Sequence, residues 1–89
     1  MREVIETNAY KKHFKKSLKQ NKDSNKLFEV LENLVMDIPL EPKYKDHQLK
    51  GELKAYRECH VEPDWLLVYK KQDNKLYLAG LGSHSEVFK

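Results

Sequence analysis

Three of the four histidines lie in the second half of the 89-residue chain, at His47, His60 and His84. An imidazole titrates near neutral pH, so it can take a proton from a hydroxyl or give one to a leaving oxygen. Cutting RNA without a metal needs few other parts. A base takes the 2′-hydroxyl proton, an acid protonates the departing 5′-oxygen, and a cation meets the phosphoryl oxygens. Asp64, Arg57, Lys45 and Lys50 are of the types that fill the remaining roles. Trp65 and Phe88 add aromatic rings that can stack on unpaired bases.

Each of these residues also has a plainer reading. A histidine at a strand end is usually a solvated or hydrogen-bonded structural residue. Asp64 follows Pro63 in a sequence that suits a turn. Trp65 opens an apolar run and suits a core, and Phe88 suits a tail folded back on that core. Cys59 reads as a small buried apolar residue, and His13, among lysines, as solvated surface. Arg57 shares its strand parity with Leu53, Ala55 and Cys59. It is either paired inside the protein or set to meet an anion such as phosphate.

The histidine spacings match no helical metal motif such as His-Glu-x-x-His. A single cysteine excludes an intramolecular disulfide and a Cys-rich zinc site. Neither a metal nor another cofactor is expected.

The elements that must position these residues are legible as periodicities. Residues 2–6 are β-prone around Val4 and Ile5. Thr7 or Asn8 offers a cap for a helix running to about Lys19. Tyr10, Phe14 and Leu18 form its apolar stripe, and Lys11, Lys12, Lys15, Lys16 and Lys19 occupy the rest. Asp23 or Ser24 caps a second helix with the stripe Leu27, Val30, Leu31, Leu34, Val35 and Ile38, which Pro39 brings to a stop. Residues 39–51 read as a loop, of a length that is often functional. The period then becomes that of strands, over 53–59, 65–71 and 76–83. Turns fall at Glu62-Pro63-Asp64-Trp65 and Asp73-Asn74. The run 65–69 is apolar on both parities and should be central. The expected fold is α+β, one domain over residues 1–89, in the order β-α-α-β-β-β with a short C-terminal segment. A two-helix hairpin covers one face of a twisted antiparallel sheet and leaves the other face free for chemistry.

Composition sets the class of partner only loosely. The net charge of +3 is mildly basic and favours an anionic partner weakly. The N-terminal residues lack the apolar core of a signal peptide, and no apolar run is long enough for a bilayer. A soluble, cytoplasmic protein with no membrane partner is expected.

Longer blocks are more specific. Tyr44-Lys45-Asp46-His47-Gln48-Leu49-Lys50-Gly51, Tyr56-Arg57, the run from His60-Val61-Glu62-Pro63-Asp64-Trp65 to Lys70, and Gly82-Ser83-His84 closely resemble the YafQ branch of the RelE/ParE toxin superfamily. The match is strong from about Tyr44 to Phe88. The N-terminal half agrees mainly in helix layout. The resemblance implies the toxin of a type II toxin–antitoxin system, an endoribonuclease (mRNA interferase). Such toxins cleave messenger RNA without a metal, usually at the ribosome, and a cognate antitoxin neutralises them. It also implies a site of His47, His60, Asp64 and His84 as catalytic residues, with Trp65, Phe88 and Arg57 toward the substrate, and by residue type Lys45 and Lys50 are expected beside them. His84 is the expected general acid, and Asp64 or His60 the base, with His47 a second candidate. The competing expectations are an RNA- or ribosome-binding domain of the same fold that does not cut, and a DNA-binding regulator. The second lacks a helix-turn-helix pattern.

Overall fold

Strand β4, Trp65–Gln72, runs through the middle of a five-stranded sheet. The computed structural model describes residues 1–88. Its other strands are β1 (Glu3–Glu6), β2 (His47–Gln48), β3 (Arg57–Glu62) and β5 (Lys75–Gly82), in the spatial order β1-β5-β4-β3-β2. β2 to β5 pair antiparallel, and β1 adds to β5 in parallel, so the sheet is mixed. The β4–β5 hairpin turns at Asp73, whose φ of 55° is one that Asp tolerates.

Helices α1 (Asn8–Lys19) and α2 (Ser24–Val35) start on side-chain caps. Thr7 Oγ1 accepts from the Tyr10 N–H, and Asp23 Oδ1 from the Asn25 N–H. Both helices end in Schellman turns on a left-handed residue. At α1 that residue is Asn21, and Lys22 N–H returns to Ser17 O. At α2 it is Asp37, and Ile38 N–H returns to Asn33 O. The second helix therefore stops before Pro39 can act on it, and Ile38 lies outside the stripe at 51% exposed.

The helices cover one face of the sheet. Tyr10, Leu27, Val30 and Leu34 pack with Cys59, Trp65, Leu67, Tyr69, Leu76, Leu78 and Leu81. The α1 stripe differs from the expected one. Each four-residue step advances about 40° around a helix, so Tyr10 and Phe14 drift toward Leu18, which is exposed. Ser17 is buried in its place. Alternation sends Glu58, His60, Leu66, Val68 and Lys70 to the opposite face. A third, short helix α3 (His84–Val87) packs against β4 and β5.

Residues 53–59 do not form one strand. Residues Gly51–Leu53 make a tight turn, and β3 begins only at Arg57. The preceding loop is also more ordered than its composition suggests. It holds a turn over Pro42–Tyr44 with Tyr44 buried, then β2, which pairs His47 directly with Glu58. Among the described residues no helix is long and apolar enough to cross a membrane.

Candidate active site

Glu58 is the residue around which the free face is organised. It is 7% exposed, although its carboxylate lies on the face away from the helix hairpin. Its Oε2 is 3.3 Å from His47 Nε2 and its Oε1 is 3.7 Å from His60 Nε2. β2 brings the first ring and β3 the second, since Glu58 and His60 are two apart on one strand. The far nitrogen of each ring is also occupied. His47 Nδ1 lies 2.7 Å from Lys45 O, and His60 Nδ1 lies 3.2 Å from Pro63 O. Carbonyl oxygens only accept, so a hydrogen on each Nδ1 would satisfy these contacts and leave each Nε2 turned toward Glu58. The trio is thus a nearly buried carboxylate flanked by two imidazole rings.

His84 is held by a separate set of contacts. It starts α3 directly after the cap residue Ser83, whose Oγ accepts from Glu86 N–H at 3.3 Å. Ser83 N–H donates to Glu86 Oε1 at 2.8 Å, closing a capping box. Lys16 of α1 pairs with the other oxygen of Glu86. That bond, with the Ser83 amide, holds the Glu86 carboxyl down to about 2. Gly82 makes room for the box, because a Cβ there would lie 2.9 Å from Glu86 Oε1. Asp64 Oδ1 accepts from the His84 N–H at 3.3 Å. The exposed His84 ring stands 5.0 Å from the Phe88 ring at a 46° tilt.

The two groups face each other across β4. His60, Leu66 and Gly82 share one cross-strand row, and Glu58, Val68 and Gly80 the next. Neighbouring strands are about 4.8 Å apart, so Glu58 and the base of α3 flank an apolar floor about 10 Å wide. The floor residues Leu66 and Val68 are themselves 1% and 8% exposed, with α3 packed against β4 and β5. A hollow of about 650 Å³ lies between the start of α2 and the turn after β3, lined by Lys26, Glu29, Lys43, Tyr44, His60 and Glu62 among others.

Several expected site residues are placed otherwise. Trp65 is 1% exposed within the core, with its Nε1–H donating to buried Ser17 Oγ at 3.0 Å, so its ring has no open face for a base. Arg57 sits on the helix face, paired across the strands with Tyr69. Its guanidinium bonds both oxygens of Asp46 at 3.3 Å, and Tyr69 Oη–H donates to Asp46 Oδ1 at 2.6 Å. The structure shows the internal pair for Arg57, whose side chain stays 41% exposed, and the pair anchors the loop that carries His47. Burial, then the Asp46 bond, pushes the Tyr69 hydroxyl up. His13 is not solvated surface. Its Nδ1 accepts from Leu81 N–H at 3.1 Å, filling the edge of β5 that β1 leaves unpaired. Lys45 turns the backbone at φ 49° toward His47. Lys50 is exposed, and its side chain has no ion-pair partner among the described residues. Cys59 is buried as expected, and burial pushes its thiol up. No group of three or more His, Cys, Asp or Glu side chains is arranged to hold a metal ion among the described residues.

Glu58 was the residue that sequence reading missed. Its signal was the alternation Glu58-x-His60 on a strand whose other parity, Cys59 and Val61, is apolar.

Comparison with known proteins agrees with this architecture. The family model described as the bacterial toxin of type II toxin–antitoxin systems, YafQ, matches residues 2–89. The mRNA interferase toxin YafQ of Escherichia coli strain K12 is 41% identical over 88 residues, which are 98% of this chain and 96% of that protein. The toxin in the crystal structure of the E. coli DinJ–YafQ complex superposes with a TM-score of 0.92 at 38% identity, over 100% of both chains. A copper-bound mutant toxin from Helicobacter pylori does so with a TM-score of 0.96 at 43% identity, over 99% of this chain and 100% of that one.

Proposed function

The chain belongs to the YafQ family of toxins of type II toxin–antitoxin systems, and from that premise we propose that it cuts messenger RNA by attack of a 2′-hydroxyl on the adjacent phosphate. The observation that carries this reading is the division of acid–base groups between two sides of one apolar floor. Glu58, with His47 and His60, is on one side, and His84 is on the other.

The reaction follows from that division. Glu58 takes the 2′-hydroxyl proton as the 2′-oxygen bonds to phosphorus. His84 gives a proton to the 5′-oxygen as the P–O5′ bond breaks, leaving a 2′,3′-cyclic phosphate and a free 5′-hydroxyl. The rings of His47 and His60 offer N–H groups to the charge that gathers on the phosphoryl oxygens. The base role thus moves to Glu58 from Asp64 and His60. Asp64 is a positioning residue, acting through its bond to the His84 backbone. Phe88 orients the His84 ring or the base beside it. Every proton has a donor and an acceptor among these side chains, so no step calls for a metal. The ribosome is the natural setting for the substrate. The partner that silences the chain is an antitoxin of the kind that DinJ is to the E. coli toxin.

The test is purified protein with a defined messenger RNA, alone and on ribosomes, in EDTA, with the cut ends mapped. Cyclic phosphate and 5′-hydroxyl ends are expected. Cleavage that EDTA abolishes and a divalent ion restores would overturn the metal-free route. RNA binding with no product in either setting would make the chain a binding domain of this fold.

A further inference from the structure

The free face carries a second cluster, one row along the strands from Glu58. Lys70 of β4 lies directly opposite Tyr77 of β5. Tyr56 immediately precedes β3, with the parity of Glu58. The Lys70 Nζ stands 4.8 Å from the Tyr77 ring centre and 5.3 Å from that of Tyr56. The two rings hold the ammonium between them by cation–π attraction. Among the described residues, Lys70 has no carboxylate within ion-pair distance. All three side chains are partly exposed. A cation fixed by aromatic faces, and not neutralised, is built to take an anion. Flanking rings suit a base next to that anion.

We propose that Lys70, Tyr56 and Tyr77 form a subsite for the nucleotide one step upstream of the one that supplies the 2′-hydroxyl. This rests on the ribonuclease reading above, which also fixes the polarity. Along the strands the order is Lys70, then Glu58 and Val68, then His60 and Leu66, then Asp64 and His84. Glu58 serves the 2′-hydroxyl, which belongs to the upstream nucleotide. His84 serves the 5′-oxygen, which belongs to the downstream one. The RNA therefore runs 5′ to 3′ from the Lys70 row toward α3. The Lys70 row is two residues from the Glu58 row, about 7 Å along a strand. That is the scale of one nucleotide step, so the phosphate meeting Lys70 is the next one upstream, and its base rests on a tyrosine ring.

The test measures binding, so it does not depend on cleavage. Short RNA oligonucleotides with a 2′-deoxy sugar at the cut site are compared: a core pair of nucleotides, the pair extended by one nucleotide on the 5′ side, and the pair extended by one on the 3′ side. In the wild-type chain the 5′ extension should tighten binding about 5- to 150-fold, the range of one stacked base. Lys70→Met, which keeps the stem, should lose most of that gain and lower the salt slope by about 0.7. Lys70→Arg should keep the gain. The gain from the 3′ extension should be the same in all three proteins. Circular dichroism melts show whether each variant is folded, and Tyr77→Phe, which keeps the ring, should behave as wild type. A wild-type chain indifferent to the 5′ nucleotide, or a Lys70→Met that loses both gains equally, overturns the subsite. Lost antitoxin affinity with unchanged RNA binding would assign the cluster to the protein partner instead. If the wild-type chain cuts no RNA on ribosomes or off them yet shows the 5′ gain, the cleavage reading fails and the subsite stands.

Discussion

The indole nitrogen of Trp65 donates to the hydroxyl of Ser17 at 3.0 Å, and both side chains are buried. This single bond joins the start of the central strand to the last turn of the first helix. It satisfies the one polar atom that a tryptophan brings into a core.

Trp65→Ala should accordingly cost about 3–5 kcal/mol of stability, the range for large aromatic truncations. Ser17→Ala leaves the N–H without a partner and should cost about 1–3 kcal/mol. Urea unfolding measures both. RNA affinity of the folded fraction should be unchanged in each. A Trp65→Ala protein of near wild-type stability that binds RNA weakly would return the ring to the substrate.

Glu58→Gln preserves shape and removes the charge between His47 and His60. Cleavage should fall by about 10² to 10⁴, the usual contribution of a positioned base. RNA affinity should hold or rise, because a buried negative charge leaves the path of a polyanion. Single-turnover rates on a defined RNA, alongside a binding titration, separate the two effects. A rate within a few-fold of wild type would move the base to Asp64 or His60.

What the sequence showed and what it hid divide along physical lines. The succession of strand, two helices and three strands, the central position of 65–69 and the caps at Thr7 and Asp23 follow from local rules of period and hydrogen bonding, and those were readable. His47, His60 and His84 stood out by type. Their grouping depended on register, which pairs His47 with Glu58 across 11 residues of sequence, and no local pattern fixes a two-residue strand. Arg57 shared the parity of the core, so an internal partner was one open reading, but its partner Asp46 lay in what looked like loop. His13 was misread because the edge of β5 that it fills exists only where β1 ends after four residues. Helix rotation about the stripe, which exchanged Leu18 for Ser17, is likewise set by the sheet and not by the helix.

Two carboxylates, one exposed and one half-buried, make stability depend on acid. Asp37 bonds Arg2 and Lys71, which hold its carboxyl at about 2. Glu86, bonded to Lys16 and Ser83, is also held at about 2. Both values lie below the ordinary range near 4, so the folded state favours the charged form. The stabilisation is therefore complete above the unfolded values and is lost as pH falls through about 4 toward 2. Thermal melts across that window should show the midpoint falling with pH. Asp37→Asn and Glu86→Gln should each flatten the fall and lower the midpoint at neutral pH. A double variant as acid-sensitive as wild type would place the effect elsewhere.

His84 is the residue on which the acid half of the mechanism stands. Its ring is exposed, and its ordered contacts are its own backbone bond to Asp64 and the ring of Phe88. Removing the imidazole thus takes nothing from the core, and α3 keeps its capping box at Ser83 and Glu86. His84→Ala should fold and melt as wild type and should bind RNA and antitoxin as before. Cleavage should fall by at least about 10², the lower end of the range for a lost acid. The reason is the leaving group: an alkoxide departs poorly unless a proton arrives as the P–O5′ bond breaks. A substrate with sulfur in place of the bridging 5′-oxygen leaves without that proton, so it should recover most of the loss in His84→Ala and gain little in Glu58→Gln. Asp64→Asn should show a milder version of the same pattern, because it disturbs where the ring stands and not whether it carries a proton. Equal rescue of His84→Ala and Glu58→Gln by the thio substrate would mean that neither residue acts on the leaving oxygen. A His84→Ala protein that cuts the natural linkage at full rate would send the search for the acid to His47 and His60.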